Sequence, residues 1–367
     1  MPSSTSSSER QPAGLRRNAS HRPGVAQPVP ERDIPDRPWG GISVVALLLA
    51  LGLIGAWEAR WRAYGVRPGP RNSDESWATQ RRRIDHGDGA RTVITGASRM
   101  LFDIDLDTWE RLAGERPIQL ALQGTTPLPV LEDLAPDPAF TGRVIVGVAP
   151  NVFFSGLAKR GDVVAYFHKQ SPAERVGQWL SLHLVEPYVA FDDPDFSLAS
   201  VVLRQDWPRR PGMKPGTRVR KLSDSAADRD TRMWSKVEND PDYRALMQRI
   251  WAQEFTPLDA AGRAELDEKI ATQIARAVAV VAKLRARGID VLFVRAPSGG
   301  EYLTYENRDF PRATTWDVLL ARTGCRGIHF QDFPELQGYD LPEWSHLAAH
   351  EKPRFTEALY RTIGRTP

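Results

Sequence analysis

Polar and apolar positions divide the chain into stretches of different character. Residues 1–38 are Ser-, Pro-, Arg- and Gly-rich with almost no large apolar side chains. Such a segment buries too little surface to offset its chain entropy, so it is expected to be a disordered tail. From Trp39 to Trp57 no charge interrupts the sequence and a tryptophan stands at each end. That length suits a helix crossing a hydrocarbon core of roughly 30 Å, with indoles at the two interfaces. The apolar run is longer and further from the N-terminus than in a cleaved signal peptide and has no small-residue cleavage site, so it is expected to stay as an anchor. Residues 58–85 are polar and Arg-rich and read as a juxtamembrane linker, with Arg81-Arg82-Arg83 solvated.

Beyond residue 85 short apolar runs alternate with helical periodicity. Val93-Ile-Thr is a first strand, and Leu106, Trp109, Leu112 and Ala113 mark a helix. Ile118-Gln-Leu-Ala-Leu-Gln is a second strand ending at Gly124-Thr-Thr-Pro, and residues 128–134 are helical. Arg143-Val-Ile-Val-Gly-Val-Ala is a third strand, stopped by Pro150-Asn151. The alternation lapses over about 163–255 into Pro-, Trp- and charge-rich sequence with helical patches at 173–185 and 243–255, which reads as an insertion. There Trp179, Trp207, Trp234 and Trp251 either stack on sugar rings or pack the insertion itself. A long helix at 259–287, carrying Ile270, Ile274, Val278, Val281 and Leu284, ends at Gly288. A strand at 289–295, a helix near 315–321, a short strand at Ile328-His-Phe and a terminal helix at 353–363 complete the pattern. Strands alternating with helices predict a three-layer α/β/α domain over 86–367, built on a parallel sheet and preceded by one transmembrane helix.

Composition narrows the function. The chain has 49 basic and 46 acidic residues, largely interspersed, for a net charge of +3. This is not the concentrated basic face of a nucleic-acid binder. A single cysteine, Cys325, excludes an internal disulfide framework and a cysteine-based zinc site. His168, His183, His329 and His350 lack metal-ligand spacing, so no metal and no cofactor is expected. Phosphate-loop, dinucleotide-binding, His-Glu-x-x-His and Gly-x-Ser-x-Gly patterns are all missing.

Two segments carry chemistry. In Thr95-Gly96-Ala97-Ser98-Arg99 a serine follows a strand and a glycine turn, which puts its hydroxyl at the strand's C-terminal edge. Asp340-Leu-Pro-Glu343-Trp-Ser-His346-Leu brings an imidazole and a carboxylate to the same edge. Together they read as a serine nucleophile and its base.

The pattern over 90–155 and 288–365 resembles the SGNH hydrolase superfamily, particularly its membrane-anchored branch of bacterial cell-envelope O-acyltransferases and esterases. The resemblance implies Ser98 as nucleophile, in a block where Ala97 replaces the usual aspartate. It implies an oxyanion hole from Ser98, Gly124 and Asn151, His346 as base, and an acid three residues before it. Glu343 has that spacing, and Asp340 is the alternative. Arg295 at a strand end is a candidate for neutralising an anionic substrate, the other reading being a structural ion pair. The family's activity implies acyl transfer on an envelope polysaccharide, to water or to a glycan hydroxyl, with an integral membrane protein supplying the acyl group. It also implies an inner-membrane protein with a cytoplasmic tail and an exported main domain. Arginines stand on both sides of the span, so the positive-inside rule does not fix its orientation. The alternative from another class is an inactive domain of the same fold that binds a glycan or assembles an export complex.

Overall fold

The computed structural model describes residues 35–205 and 220–365, so most of the expected tail and Trp207 lie outside the described residues. The chain divides into two units, 1–57 and 58–367. The first contributes most of a helix, Trp39–Tyr64, which is long and apolar enough to cross a membrane.

The second unit is built on five parallel strands, β1 (Val93–Thr95), β2 (Ile118–Gln119), β3 (Val144–Gly147), β6 (Val291–Arg295) and β7 (Arg326–His329). A separate antiparallel hairpin of β4 (Ser223–Ser225) and β5 (Thr231–Met233) lies between β3 and β6 in sequence. The sheet order is β2-β1-β3-β6-β7. Counting only its own strands this is 2-1-3-4-5, the flavodoxin-like order, whose reversal lies between β1 and β3.

Both faces of the sheet are covered, which is why the central strands β1, β3 and β6 are near-continuous apolar runs rather than alternating. Val93, Val144, Val146, Val291 and Phe293 join one core with Trp77, Leu131, Ile274 and Leu319 from helices Asp74–Arg83, Leu128–Leu134, Ala260–Ala286 and Trp316–Thr323. The intervening Ile94, Ile145, Leu292 and Val294 are equally buried on the other face. That side carries helices Ser98–Phe102, Leu106–Ala113 and Lys352–Arg365, the last two joined by an edge-to-face contact of Trp109 and Tyr360 at 5.2 Å. The fold is therefore the three-layer α/β/α sandwich expected, with one candidate membrane helix before it.

The stretch 58–85 departs from the linker reading. Ser73 and Ser76 form a reciprocal capping box that starts helix Asp74–Arg83. Trp77 is fully buried and its indole N–H donates to the Leu120 carbonyl at 3.0 Å. Nor is the arginine run solvated as a whole, for buried Arg81 bridges Asp133 at 2.7 Å and Asp137 at 2.5 Å. A lone tryptophan among charges does not announce a buried helix face, because its partners lie some forty or more residues away.

The insertion is tied down at several points. Arg229, in the turn between β4 and β5, is buried and donates to the carbonyls of Gln119 and Ala121 at 2.7 Å each, and to Asn72. Lys352 of the terminal helix pairs with Asp230. The insertion's helix Pro241–Ala252 reaches the loop that carries the histidine, where Gln248 donates to the Pro342 carbonyl at 2.9 Å.

Candidate active site

Ser98 begins the helix Ser98–Phe102 directly after β1. The turn depends on Gly96, at φ +147°, where a Cβ would stand 2.9 Å from the Cα of Gly147 on β3. β1 and β3 can therefore lie side by side while the chain swings Ser98 out at the point where the strand order reverses. Asn151 follows β3 in a short helix, Pro150–Phe153, at the neighbouring edge.

His346 is buried, and its Nε2 lies 2.7 Å from the Ser98 Oγ. Its Nδ1 lies 2.7 Å from Oε1 of Glu343, which also accepts the His346 backbone N–H at 2.8 Å. A carboxylate only accepts, so Nδ1 carries the ring proton and Nε2 is left to take the proton of Ser98. The Phe102 ring sits 4.4 Å from the imidazole, centroid to centroid, and restrains its plane. The second oxygen of Glu343, Oε2, accepts the indole N–H of Trp251, a residue of the insertion. Glu343 is thus fully buried with both oxygens bonded. Asp340 is exposed, and its contribution to the loop is a carbonyl that accepts the N–H of Ala348 at 2.9 Å. Between the two carboxylates left open by the sequence, the imidazole is bonded to Glu343.

Ser98, Gly124, Asn151, Trp251, Tyr302 and His346 all face one cleft of about 1120 Å³. The Ser98 N–H is at the start of its helix and has no intrahelical acceptor. Gly124 adopts φ +56°, and a Cβ there would meet the Lys159 side chain at 2.8 Å. Its carbonyl accepts from Lys159, whereas its N–H meets no protein acceptor among the described residues. The Asn151 amide nitrogen lies 2.9 Å from the Tyr302 hydroxyl, and its oxygen is buried without a partner. Ser98, Gly124 and Asn151, the residues expected to form an oxyanion hole, therefore line the same cleft.

Arg295 does not belong to it. It is buried outside the cleft, bonded to Ser298 at 2.9 Å and paired with Glu306 at 2.6 Å. The anionic-substrate reading gives way to the structural ion pair, because helix Gly300–Asp309 folds back over the strand end and brings Glu306 with it. Glu306 also pairs with Arg99 at 2.9 Å, and Arg99 in turn donates to the Ser345 carbonyl at 3.1 Å. One buried carboxylate thus ties the residue after the serine to the residue before the histidine. Burial acts to raise the Glu306 carboxyl, but Arg295 and Arg99 outweigh it and hold the group below its ordinary range.

Sequence reasoning missed Asp103. Its Oδ1 accepts the Leu347 N–H at 3.0 Å and its Oδ2 is buried without a partner. Burial pushes its carboxyl up to about 7, against the opposing pull of His346, the Leu347 N–H and Arg99. It also missed the Trp251–Glu343 bond, which depends on the path of the insertion and has no local signature. Of the other insertion tryptophans, Trp179 is exposed and Trp234 is buried in the packing of the insertion. Among the described residues no group of three or more His, Cys, Asp or Glu side chains is placed to hold a metal ion.

No family model and no curated protein matches the sequence. Among solved structures the chain is similar to one titled "Crystal Structure of TesA", at 13% identity and a TM-score of 0.32, over 75% of this chain and 98% of that one.

Proposed function

We propose that the protein is a membrane-anchored serine acyl-transfer enzyme of the SGNH type, an esterase or O-acetyltransferase acting on an envelope glycan. The observation that carries this reading is the relay Ser98–His346–Glu343, with two bonds of 2.7 Å, set at the strand-order reversal of a parallel sheet. A nucleophile, a base held by a carboxylate and a rim of donors together form the constellation of acyl transfer. The cleft is roomy and mixed in polarity, and both qualities suit a polyhydroxylated acceptor.

In the first half-reaction Ser98 Oγ attacks the acyl carbonyl carbon and His346 Nε2 takes its proton. Negative charge collects on the former carbonyl oxygen, opposite the N–H groups of Ser98 and Gly124 and the Asn151 amide. The bond to the leaving oxygen breaks, that oxygen takes the proton from His346, and the acyl group remains as an ester of Ser98. In the second half, water or a glycan hydroxyl gives its proton to His346 and attacks the ester, and Ser98 Oγ leaves with the proton. Glu343 keeps Nδ1 protonated and stabilises the imidazolium in both halves. The resemblance to envelope acyltransferases supports an inner-membrane location, an exported domain and an integral membrane partner as acyl supplier.

The test is labelling of the full-length protein by a fluorophosphonate probe, together with release of acetate from an aryl ester. Labelling is expected in the native chain and should vanish in Ser98→Ala and His346→Ala. If the native protein is folded yet never labels and never turns over the ester, the proposal fails. Adding oligosaccharide to the ester assay separates hydrolysis from transfer, through the appearance of acylated sugar.

A further inference from the structure

Among the described residues after Trp57, twelve large hydrophobic side chains are exposed, and nine of them fall between Val176 and Leu203. They include Trp179, 57% exposed, Leu184 at 62%, Tyr188 at 66% and Leu203 at 64%. Val176, Trp179, Leu180 and Leu184 follow the i, i+3, i+4, i+8 spacing of one stripe along helix Pro172–Leu180 and the turn that continues it. None of the residues of that helix, or of helix Leu198–Leu203, is buried. An amphipathic helix normally turns its apolar stripe to the core, yet this one turns it away. So concentrated an apolar surface marks an interaction site rather than ordinary scatter.

The occupant follows from what holds the segment. Glu58 is the first charged residue after the uncharged run that ends at Trp57, so in a membrane-crossing helix it marks the edge of the hydrocarbon whichever way the helix runs. Its carboxylate accepts the N–H of Ala190 at 2.9 Å and of Phe191 at 3.1 Å. One turn further on, Arg62 donates to the Tyr188 carbonyl at 2.8 Å, and the ring of Trp61 packs on Phe196 at 4.7 Å. The exposed apolar stretch is therefore pinned, in its middle, to residues that must lie at the boundary between lipid and water. Trp179 and Tyr188 are the side-chain types that settle there.

We propose that residues 176–203 form a second, interfacial membrane contact, lying in the headgroup–acyl boundary of the bilayer that residues 39–57 cross. The proposal rests on the reading of 39–57 as a membrane span. It has a consequence for the site, because Val189, Ala190 and Asp192 to Asp195, within the same stretch, line the cleft of Ser98. One wall of that cleft is then held at the lipid surface, where an acyl group or acceptor carried by a membrane component is presented.

The test places single fluorescent labels in the full-length chain, in a Cys325→Ser background, reconstituted in phosphatidylcholine–phosphatidylglycerol vesicles containing a nitroxide-labelled lipid. The labelled positions are Leu184→Cys and Leu203→Cys, with Leu49→Cys inside the span and Glu357→Cys on the terminal helix as references. Quenching at Leu184 and Leu203 approaching that at Leu49, with none at Glu357, is expected. Quenching at Leu49 alone overturns the interfacial contact and leaves the anchor standing. Labels at Leu184 and Leu203 that are shielded from aqueous iodide but untouched by the nitroxide lipid also overturn it, since a protein surface then covers the patch. No quenching at any position overturns the anchor and the proposal together.

Discussion

The indole N–H of Trp251 donates to Oε2 of Glu343, the oxygen that the imidazole of His346 leaves free. An element more than ninety residues before the acid in sequence thereby completes its hydrogen bonding. Replacing Trp251 with Phe keeps the packing but leaves a buried carboxylate oxygen without a donor, at a cost of about 1–3 kcal/mol. The expected outcome is a fluorophosphonate labelling rate lowered roughly 5- to 150-fold with near-native circular dichroism. An unchanged rate means that the insertion does not support the acid.

Glu343→Gln and Asp340→Asn separate the two carboxylates. An amide at position 343 can donate to Nδ1 and favour the wrong tautomer, and in a serine relay this costs on the order of 10⁴ in turnover. Asp340→Asn is expected to leave ester turnover within about twofold, since the Asp340 link to the loop is through its carbonyl. Equal losses in the two variants refute this assignment.

Asp103 gives stability an unusual slope with pH. Its carboxyl is raised in the folded protein from 3.8 to about 7, so across that window the folded chain holds a proton that the unfolded chain has lost. Stability from this group is therefore full below about pH 4 and falls as pH rises to about 7. Asp103→Asn should flatten that part of the urea-midpoint profile, since an amide still accepts the Leu347 N–H. A variant profile that tracks the native one across the window contradicts the prediction.

Glu306 works in the opposite sense. A carboxyl held below its ordinary 4.5 contributes stability above that pH, and the contribution is lost as pH falls through the lower folded value. Glu306→Gln leaves Arg99 and Arg295 buried without their shared partner, so a loss of about 3–5 kcal/mol is expected in urea unfolding at neutral pH. Labelling of Ser98 should fall as well, because Arg99 spans from Glu306 to Ser345. A loss below about 1 kcal/mol means the ion pairs are not what holds this region.

Local order was legible where it rests on neighbours in the chain. Glu343 and His346 stand three residues apart in one loop, and Ser98 follows its strand within a few residues, so the resemblance to a known family could be matched to them by short spacings. Of the two readings of Arg295 the ion pair holds, because a strand end in a parallel sheet ordinarily faces a cleft and here helix Gly300–Asp309 supplies Glu306 to it instead. Trp77 was hidden in a charged stretch. Its burial is decided by Leu120 and by Phe167, some forty and ninety residues further along.

The sequence by itself determined the parallel α/β layering, the uncharged run of 39–57 and the identities of Ser98, His346 and an acid beside it. These follow from periodicities and short spacings that backbone geometry converts directly into strands, helices and turns. Tertiary structure alone decided that Glu343 rather than Asp340 meets the imidazole, that Trp251 secures it, and that Arg295 is sealed within an ion pair. Each of these is a hydrogen bond or charge pair between segments brought together by packing, and burial fixes its partner by making every alternative leave a polar group unsatisfied.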